Sequence, residues 1–234
     1  NHFVEIQRVK KVFADNQSQL EENQLLFMIH TGSRGFGHQI AQDYINLAKD
    51  NNHKYGFDLP TKNLASFPIN STEGQNYLQA MACAANFAFA NRQALAYHAR
   101  RSFEAVFGPL PGGHLRQVYD IAHNMAKIET HTIAGEELTV CVHRKGATRA
   151  FGPGFAGLPA EYRRFGQPVL VPGSMGTESW ILLGTEANEA LSFGSSCHGA
   201  GRIMSRRQAK RTIRGDRLRE QLEQEGIAVC AGSM

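Results

Sequence analysis

The chain has 234 residues, of which 42% are hydrophobic and 20% charged, as in a folded globular protein and unlike a disordered one. No apolar run approaches the length of a membrane span, and the formal net charge of +4 at pH 7 favours a phosphate-rich partner without requiring one. The four cysteines are scattered without a CxxC pair, so we expect a reducing compartment, with the cytoplasm as the default.

The first residues alternate between polar and apolar side chains, which predicts a strand within residues 1–12. A continuous apolar run over 25–29 predicts a second strand, buried on both faces. Because the chain starts without Met and stops without a terminating element, we expect it to be a piece of a longer protein.

His30 follows the second strand and opens a glycine-rich loop over 31–38, before a helical pattern over 40–49. Strand, glycine loop and helix in this order can collect phosphates at the helix N-terminus. The spacing fits neither the Walker A pattern nor the dinucleotide fingerprint. A histidine in this position is either a satisfied core residue or a ligand, and the residues alone leave both readings open.

Residues 50–72 are polar and irregular, which predicts a surface loop, and 74–107 form the longest helical pattern. The helix carries an apolar stripe at helical spacing, made of Tyr77, Leu78, Met81, Ala84, Ala85 and Ala88. Glycine and proline residues at 108–113 should end it.

The second half contains two further candidate loops at strand ends. A strand over 138–142 leads into the cationic stretch 143–149, which suits either phosphate binding or a solvated turn. Strands over 168–171 and 180–183 flank a loop of glycine and hydroxyl residues at 172–179.

His198 lies in a run of small residues over 192–201, whose backbone amides can approach a polyanion closely. Seven arginines and one lysine lie within 202–219, against Asp216 alone. The stretch is either an ordinary turn before a solvated basic helix or the setting of a nucleophile that faces phosphates.

Four of the ten histidines, His2, His30, His123 and His198, lie beside an apolar run or in such a loop. Imidazole is the usual ligand for Mn, Fe, Co or Zn, and the lack of cysteine pairs argues against a structural zinc site. We expect His2, His30 and His123 to converge on a metal beside arginines and backbone amides. This set predicts metal-assisted phosphoryl or nucleotidyl chemistry.

Five segments, in the same order, resemble the motifs of RtcB-type RNA ligases, and the opening residues 1–5 match as well. The segments are 30–38 (HTGSRGFGH), 119–124 (YDIAHN), 143–149 (HRKGATR), 172–177 (PGSMGT) and the stretch around His198. The resemblance covers essentially the whole chain. It implies a ligase, dependent on GTP and manganese, that joins RNA 2′,3′-cyclic phosphate or 3′-phosphate ends to 5′-hydroxyl ends, as in tRNA splicing and RNA repair.

The fold that we expect is α+β: one catalytic domain over 1–234, with mixed, largely antiparallel sheets, long peripheral helices and an active site at strand ends. By resemblance, His198 is the nucleophile that takes GMP from GTP, and His2, His30 and His123 are manganese ligands. The expected GTP-binding residues are Asn1, His2, Phe3, Val4, Glu5, His123, Asn124, Pro172, Gly173, Ser174, Met175, Ser179, His198, Gly199, Ala200 and Gly201. The expected RNA-binding residues are Arg34, His143, Arg144, Lys145, Arg202 and Arg206.

The family also carries an Asp and a Cys as manganese ligands upstream, and a guanine-contacting Lys near its C-terminus; these positions lie outside this sequence. Two other readings stay open. A metal-dependent phosphoesterase would keep the three histidine ligands without covalent chemistry at His198. An RNA-binding remnant would keep the basic surface and need neither GTP nor metal.

Overall fold

The computed structural model describes the chain except for residues 1, 14–19, 62–63, 110–114, 175, 200, 202–203 and 231–234 and the side chain of Arg206. The chain divides into two compact units, 1–120 and 121–234. Helices and small antiparallel sheets alternate along the chain, which confirms the α+β prediction. That 1–234 form one catalytic domain stays a prediction.

In the first unit, strands β1 (Phe3–Arg8) and β2 (Leu25–His30) pair antiparallel, with Phe3 opposite His30. Both strands were predicted, but the expected burial of β2 on both faces is wrong. Leu25 is 63% exposed and the rest of β2 is half-buried. In a sheet of two strands each strand is an edge, so β2 does not have the environment of a central strand.

Helix α1 (Arg34–Asn51) begins earlier than the predicted 40, so the prediction of a glycine-rich loop over 31–38 is wrong from Arg34 onward. Gly35 and Gly37 lie in the first turns of the helix, where glycine is tolerated at a modest cost. The prediction of an irregular loop over 50–72 is wrong at its start, where α1 ends and a 3₁₀ helix (Asn52–Tyr55) follows, and is confirmed for the described residues from 56 to 71. Helix α2 (Thr72–Phe107) confirms the long helical pattern. Its predicted stripe is half-buried or buried throughout, and Gly37 of α1 brings the two helices close together, since a Cβ there would lie 3.4 Å from the Ala84 Cβ.

The ends of α2 follow from local sequence. Ser71 caps the first turn by accepting a hydrogen bond from the Gly74 amide at 3.0 Å. At the other end Gly108 takes a φ of 73°, and its amide donates to the Glu104 carbonyl at 2.9 Å. The predicted glycine and proline break begins here, although most of it lies outside the described residues.

Five strands and four short helices lie within the described residues of the second unit. The strands are β3 (His123–Ile133), β4 (Glu136–Arg149), β5 (Pro168–Val171), β6 (Trp180–Leu183) and β7 (Ser195–Cys197). The helices are α3 (Ala160–Arg163), α4 (Ala187–Ser192), α5 (Arg206–Thr212) and α6 (Gly215–Gln224). One sheet has the order β3-β4-β7, and β5 pairs with β6, all antiparallel.

The β3–β4 hairpin turns through Ala134 and Gly135, whose φ angles of 52° and 89° are those of the two-residue turn that suits twisted strands. The prediction that 143–149 form a loop is wrong, because β4 runs on to Arg149. The core of the second unit includes Phe151, Leu158 and Val169, each at most 4% exposed.

Within the described part of the chain, no helix is long and apolar enough to cross a membrane. Cys83, Cys141, Cys197 and Cys230 are all free thiols.

Candidate functional site

His198 directly follows β7, and its imidazole stacks on that of His123, the first residue of β3. The ring centroids are 4.0 Å apart and the planes differ by 26°. His198 is half-buried, and its Nδ1 atom is buried without a hydrogen-bond partner among the described residues. A buried ring nitrogen without a partner is costly, so it marks a place where a ligand can supply the missing interaction.

Thr148 of β4 brings these two histidines together. In the sheet register it lies opposite His123 on one side and opposite Ser196 of β7 on the other. Its side chain is fully buried, and its Oγ1 donates to the Ala122 carbonyl at 2.8 Å. That bond fixes the backbone just before His123, so a residue of the central strand positions both rings.

An irregularity in the hairpin shapes the same place. Asn124 stands opposite three residues of β4, 145–147, and takes a φ of 56°. Its Oδ1 accepts a hydrogen bond from the Gly146 amide at 2.9 Å, and Gly146 itself has a φ of 70°. The glycine that indicated a loop from sequence therefore serves a bulge inside a continuous strand.

Glu129 of β3 is the centre of a buried ion cluster. Its carboxylate accepts from Arg144 Nη1 and Nη2 at 2.9 and 2.8 Å, from Arg149 Nε at 2.7 Å and from His131 Nε2 at 3.0 Å. Burial would raise the pKa of Glu129, but the hydrogen bonds from Arg144, His131 and Arg149 outweigh it and lower the pKa to about 2. The carboxylate therefore stays ionised.

Arg144 also reaches the turn before β7. Its Nη2 donates to the Phe193 carbonyl at 2.7 Å and its Nε to the Ser195 hydroxyl at 2.8 Å. The Arg144 side chain is 4% exposed. The predicted contact of Arg144 with RNA stays a prediction, and these contacts favour a structural role. Its neighbours His143 and Lys145 are exposed, as a contact with RNA would require.

The loop between β5 and β6 is held by its own hydroxyl groups. The Gly173 amide donates to Ser179 Oγ at 3.1 Å, and the Ser174 amide donates to Thr177 Oγ1 at 2.8 Å. A Cβ at Gly199 would lie 3.7 Å from the Pro172 carbonyl oxygen. Two of the segments expected to bind GTP, the one after His198 and the 172–179 loop, are therefore neighbours.

In the first unit, His30 ends β2 and its ring meets the Phe3 ring edge-on, with centroids 5.1 Å apart. His2 is exposed, and its Nδ1 accepts a hydrogen bond from Arg34. Glu5 accepts from Gln7 Nε2 at 2.7 Å. Because side chains alternate along β1, the exposed Val4 points away from the face that holds Phe3 and Glu5.

Helix α2 supports the loop that follows His30. Asn91 Nδ2 donates to the Gly32 carbonyl at 2.9 Å, and Arg92 Nη1 donates to the Thr31 carbonyl at 3.2 Å. Arg92 Nε also pairs with Asp120 at 2.6 Å. Burial raises the pKa of Asp120, and Arg92 partly offsets this. Sequence reasoning missed Asp120, because no local pattern joins it to a residue on α2.

Imidazole nitrogens fit manganese by ligand type. The first unit supplies His2 and His30, and the second supplies His123 beside His198. Among the residues that the structure describes, no group of three or more His, Cys, Asp or Glu side chains is assembled that could hold a metal. These histidines therefore suit manganese by the type of donor atom that they offer.

Asn1, Met175, Ala200 and Arg202 lie outside the described residues, as does the side chain of Arg206. Arg206 itself is the first residue of α5, and Gly201 takes a φ of 75°.

Comparison with known proteins confirms the resemblance to RtcB-type ligases. The family model described as tRNA-splicing ligase RtcB matches residues 1–234. The chain is 52% identical to the tRNA-splicing ligase RtcB of Pyrococcus furiosus, covering 100% of this chain and 25% of the relative. For the ligases of the same name from Thermococcus kodakarensis and Archaeoglobus fulgidus, the identities are 51% and 50%, over 100% and 99% of this chain and 49% of each relative. The chain thus spans a quarter to a half of the length of these relatives, and it belongs to the RtcB family of tRNA-splicing ligases.

Proposed function

We propose that this chain carries the nucleotide-accepting histidine of an RNA ligase, which uses GTP and Mn²⁺ to join RNA 2′,3′-cyclic phosphate or 3′-phosphate ends to 5′-hydroxyl ends. The substrates would be tRNA halves or other cleaved RNA ends. The relatives are named as tRNA-splicing ligases, which supports RNA joining as the reaction class. A reducing compartment, the cytoplasm by default, remains part of the proposal.

The observation that carries the proposal is the setting of His198. It combines a ring stacked on a second imidazole, a buried Nδ1 without a hydrogen-bond partner among the described residues, and a following glycine packed against the 172–179 loop. A neutral imidazole held in one orientation is a competent nucleophile.

In the proposed reaction a 2′,3′-cyclic phosphate end is first opened by water, whose oxygen bonds to phosphorus while the bond from phosphorus to the 2′ oxygen breaks and that oxygen takes a proton, leaving a 3′-phosphate. A ring nitrogen of His198 forms a bond to the α-phosphorus of GTP, while the bond from that phosphorus to the pyrophosphate oxygen breaks. The GMP group then passes from His198 to an oxygen of the RNA 3′-phosphate, which frees the imidazole. The 5′-hydroxyl of the other RNA attacks this activated phosphate, loses its proton, and expels GMP.

Backbone and side-chain groups of this chain would hold the nucleotide during these steps. The segment 199–201 would offer backbone amides to the phosphates, Ser174 and Ser179 would line the guanosine pocket with Glu5, and Asn124 would contact a phosphate. Exposed Arg34, His143 and Lys145 would bind RNA, together with Arg202 and Arg206.

We propose His2, His30 and His123 as ligands for manganese. A bound Mn²⁺ would neutralise the charge that develops on the phosphates. The edge contact of His30 with Phe3 and the stacking of His123 on His198 restrict the orientation of both rings, which supports a ligand role for each.

The test is intact-protein mass spectrometry of the full-length protein after incubation with GTP and Mn²⁺, alongside His198→Ala. We expect an acid-labile adduct of the mass of GMP on the parent and none on the variant. The absence of an adduct on the parent would overturn the ligase mechanism. Metal-dependent hydrolysis of an RNA phosphate would then indicate a phosphoesterase, and salt-sensitive RNA binding without turnover would indicate a binding module.

A further inference from the structure

The turn that leads into β7 is held from outside by a buried side chain. Phe193 and Gly194 take φ angles of 51° and 58°, in the left-handed region. Gly194 lies so close to the ring of Phe151 that a Cβ would come within 2.6 Å of it. The turn is therefore a strained and closely packed one, which needs several fixed contacts to persist.

Strand β7 is too short to hold its own position. It has three residues and, among the residues that the structure describes, pairs with β4 alone, through Ala147, Thr148 and Arg149. His198 is the next residue along the chain. Its position therefore depends on what holds the start of β7.

Arg144 supplies that hold. Four hydrogen bonds leave its guanidinium: two to the Glu129 carboxylate, one to the Phe193 carbonyl and one to the Ser195 hydroxyl. Because Glu129 is buried and accepts from three side chains, it fixes the guanidinium plane, and the planar fork then transmits that orientation to both ends of the turn.

We propose that Arg144 is a positioning residue for His198: oriented by Glu129, it holds the turn at 193–195 so that the His198 ring stays stacked on His123. The inference rests on the proposed function only for the meaning of His198 as the nucleophile. The positioning itself is a property of the fold.

Two variants test it in the full-length protein. Arg144→Lys keeps the charge but cannot make all four bonds, and Ser195→Ala removes one acceptor of Arg144 while leaving the Glu129 pair intact. Arg219→Lys, in the exposed Arg219–Glu223 pair of α6, and Ser102→Ala, on the exposed surface of α2, are the matched controls. Thermal unfolding is used to check that each variant is folded. If Arg144→Lys does not fold, Ser195→Ala alone still tests the positioning role.

The first readout is formation of the GMP adduct at varied GTP concentration. We expect the rate constant of adduct formation at saturating GTP to fall about tenfold or more in Arg144→Lys, and by less in Ser195→Ala. The GTP concentration that gives half the maximal rate should not change, since a small misplacement of a reacting group costs rate rather than binding. The controls should behave like the parent.

The second readout is independent of ligation: the rate at which diethyl pyrocarbonate modifies His198, followed by peptide mass spectrometry without metal, with exposed His53 as the internal reference. We expect a several-fold higher rate at His198 in both variants. If the parent forms no GMP adduct while this rate still rises, the proposed function fails and the positioning role stands. Unchanged modification of His198 in folded Arg144→Lys and Ser195→Ala would overturn the positioning role.

Discussion

The imidazoles of His123 and His198 lie face to face, 4.0 Å between centroids, although 74 residues separate them along the chain. Each ring therefore limits the motion of the other. Chemistry at His198 should depend on His123 both through ring packing and through ring nitrogens, and two substitutions separate these contributions.

His123→Ala removes the ring and its nitrogens, whereas His123→Phe keeps an aromatic ring of similar area. We expect GMP adduct formation to fall by at least about 100-fold in both, because neither can offer a nitrogen to metal or phosphate. Modification of His198 by diethyl pyrocarbonate should rise in His123→Ala alone. Adduct formation by His123→Phe at the parental rate would rule out the ligand role, and His53→Ala serves as the control.

Glu129→Gln should be strongly destabilising, because it leaves two arginines beside a buried, neutral amide. Removal of one partner from a buried pair costs about 3–5 kcal/mol, which we expect as a loss in the free energy of unfolding measured with denaturant. Glu223→Gln breaks the exposed Arg219 pair and should leave the unfolding midpoint unchanged. Equal midpoints for the two variants would contradict the central role of the cluster.

The lowered pKa of Glu129 should make the free energy of unfolding depend on pH. The pKa of Glu129 is about 2 in the folded chain and ordinarily near 4.5, so its stabilising contribution is complete above pH 4.5 and is lost as pH falls towards 2. Hydrogen bonds from Lys54 and Tyr55 also lower the pKa of Glu73 to about 2, but that group is present in parent and variant alike. Denaturation at several pH values should therefore show a shallower loss below pH 4.5 in Glu129→Gln than in the parent.

Gly194→Ala should both strain the backbone and collide with Phe151. We expect a loss of about 2–4 kcal/mol in the free energy of unfolding, from the left-handed φ together with overpacking. Gly135→Ala is the matched control, because Gly135 also has a positive φ but a Cβ there meets open space. It should cost about 1 kcal/mol. Similar losses in calorimetry would show that the contact with Phe151 is unimportant.

Much of the local structure could be predicted from sequence. The apolar stripe of α2 repeats every three or four residues, and the apolar runs of β2 and β5 are bounded by turn residues. Each of these elements can therefore be predicted from a short stretch of sequence. The run of small residues around His198 is also a local feature, whereas the short strand β7 that precedes His198 was not predicted.

The ion cluster could not be predicted, because its members are joined by register and not by spacing. Glu129 and His131 alternate inward along β3, but nothing near them indicates which cation will compensate the carboxylate. Arg144 and Arg149 meet it only because the hairpin pairs these strands. The prediction of a loop over 143–149 is wrong for a related reason. The bulge at Gly146 is stabilised by a hydrogen bond to Asn124, which lies on the opposite strand.

The dependence of both histidines on Thr148 has a consequence for the order of folding. The β3–β4 hairpin closes through a two-residue turn, whereas β7 must join it across a long intervening segment, at a larger entropic cost. We expect the hairpin to form first and to act as a template on which β7 docks last. Pulse-labelled hydrogen exchange during refolding should show amides of 126–133 protected before those of 195–197; simultaneous protection would show that site and scaffold fold as a single cooperative step.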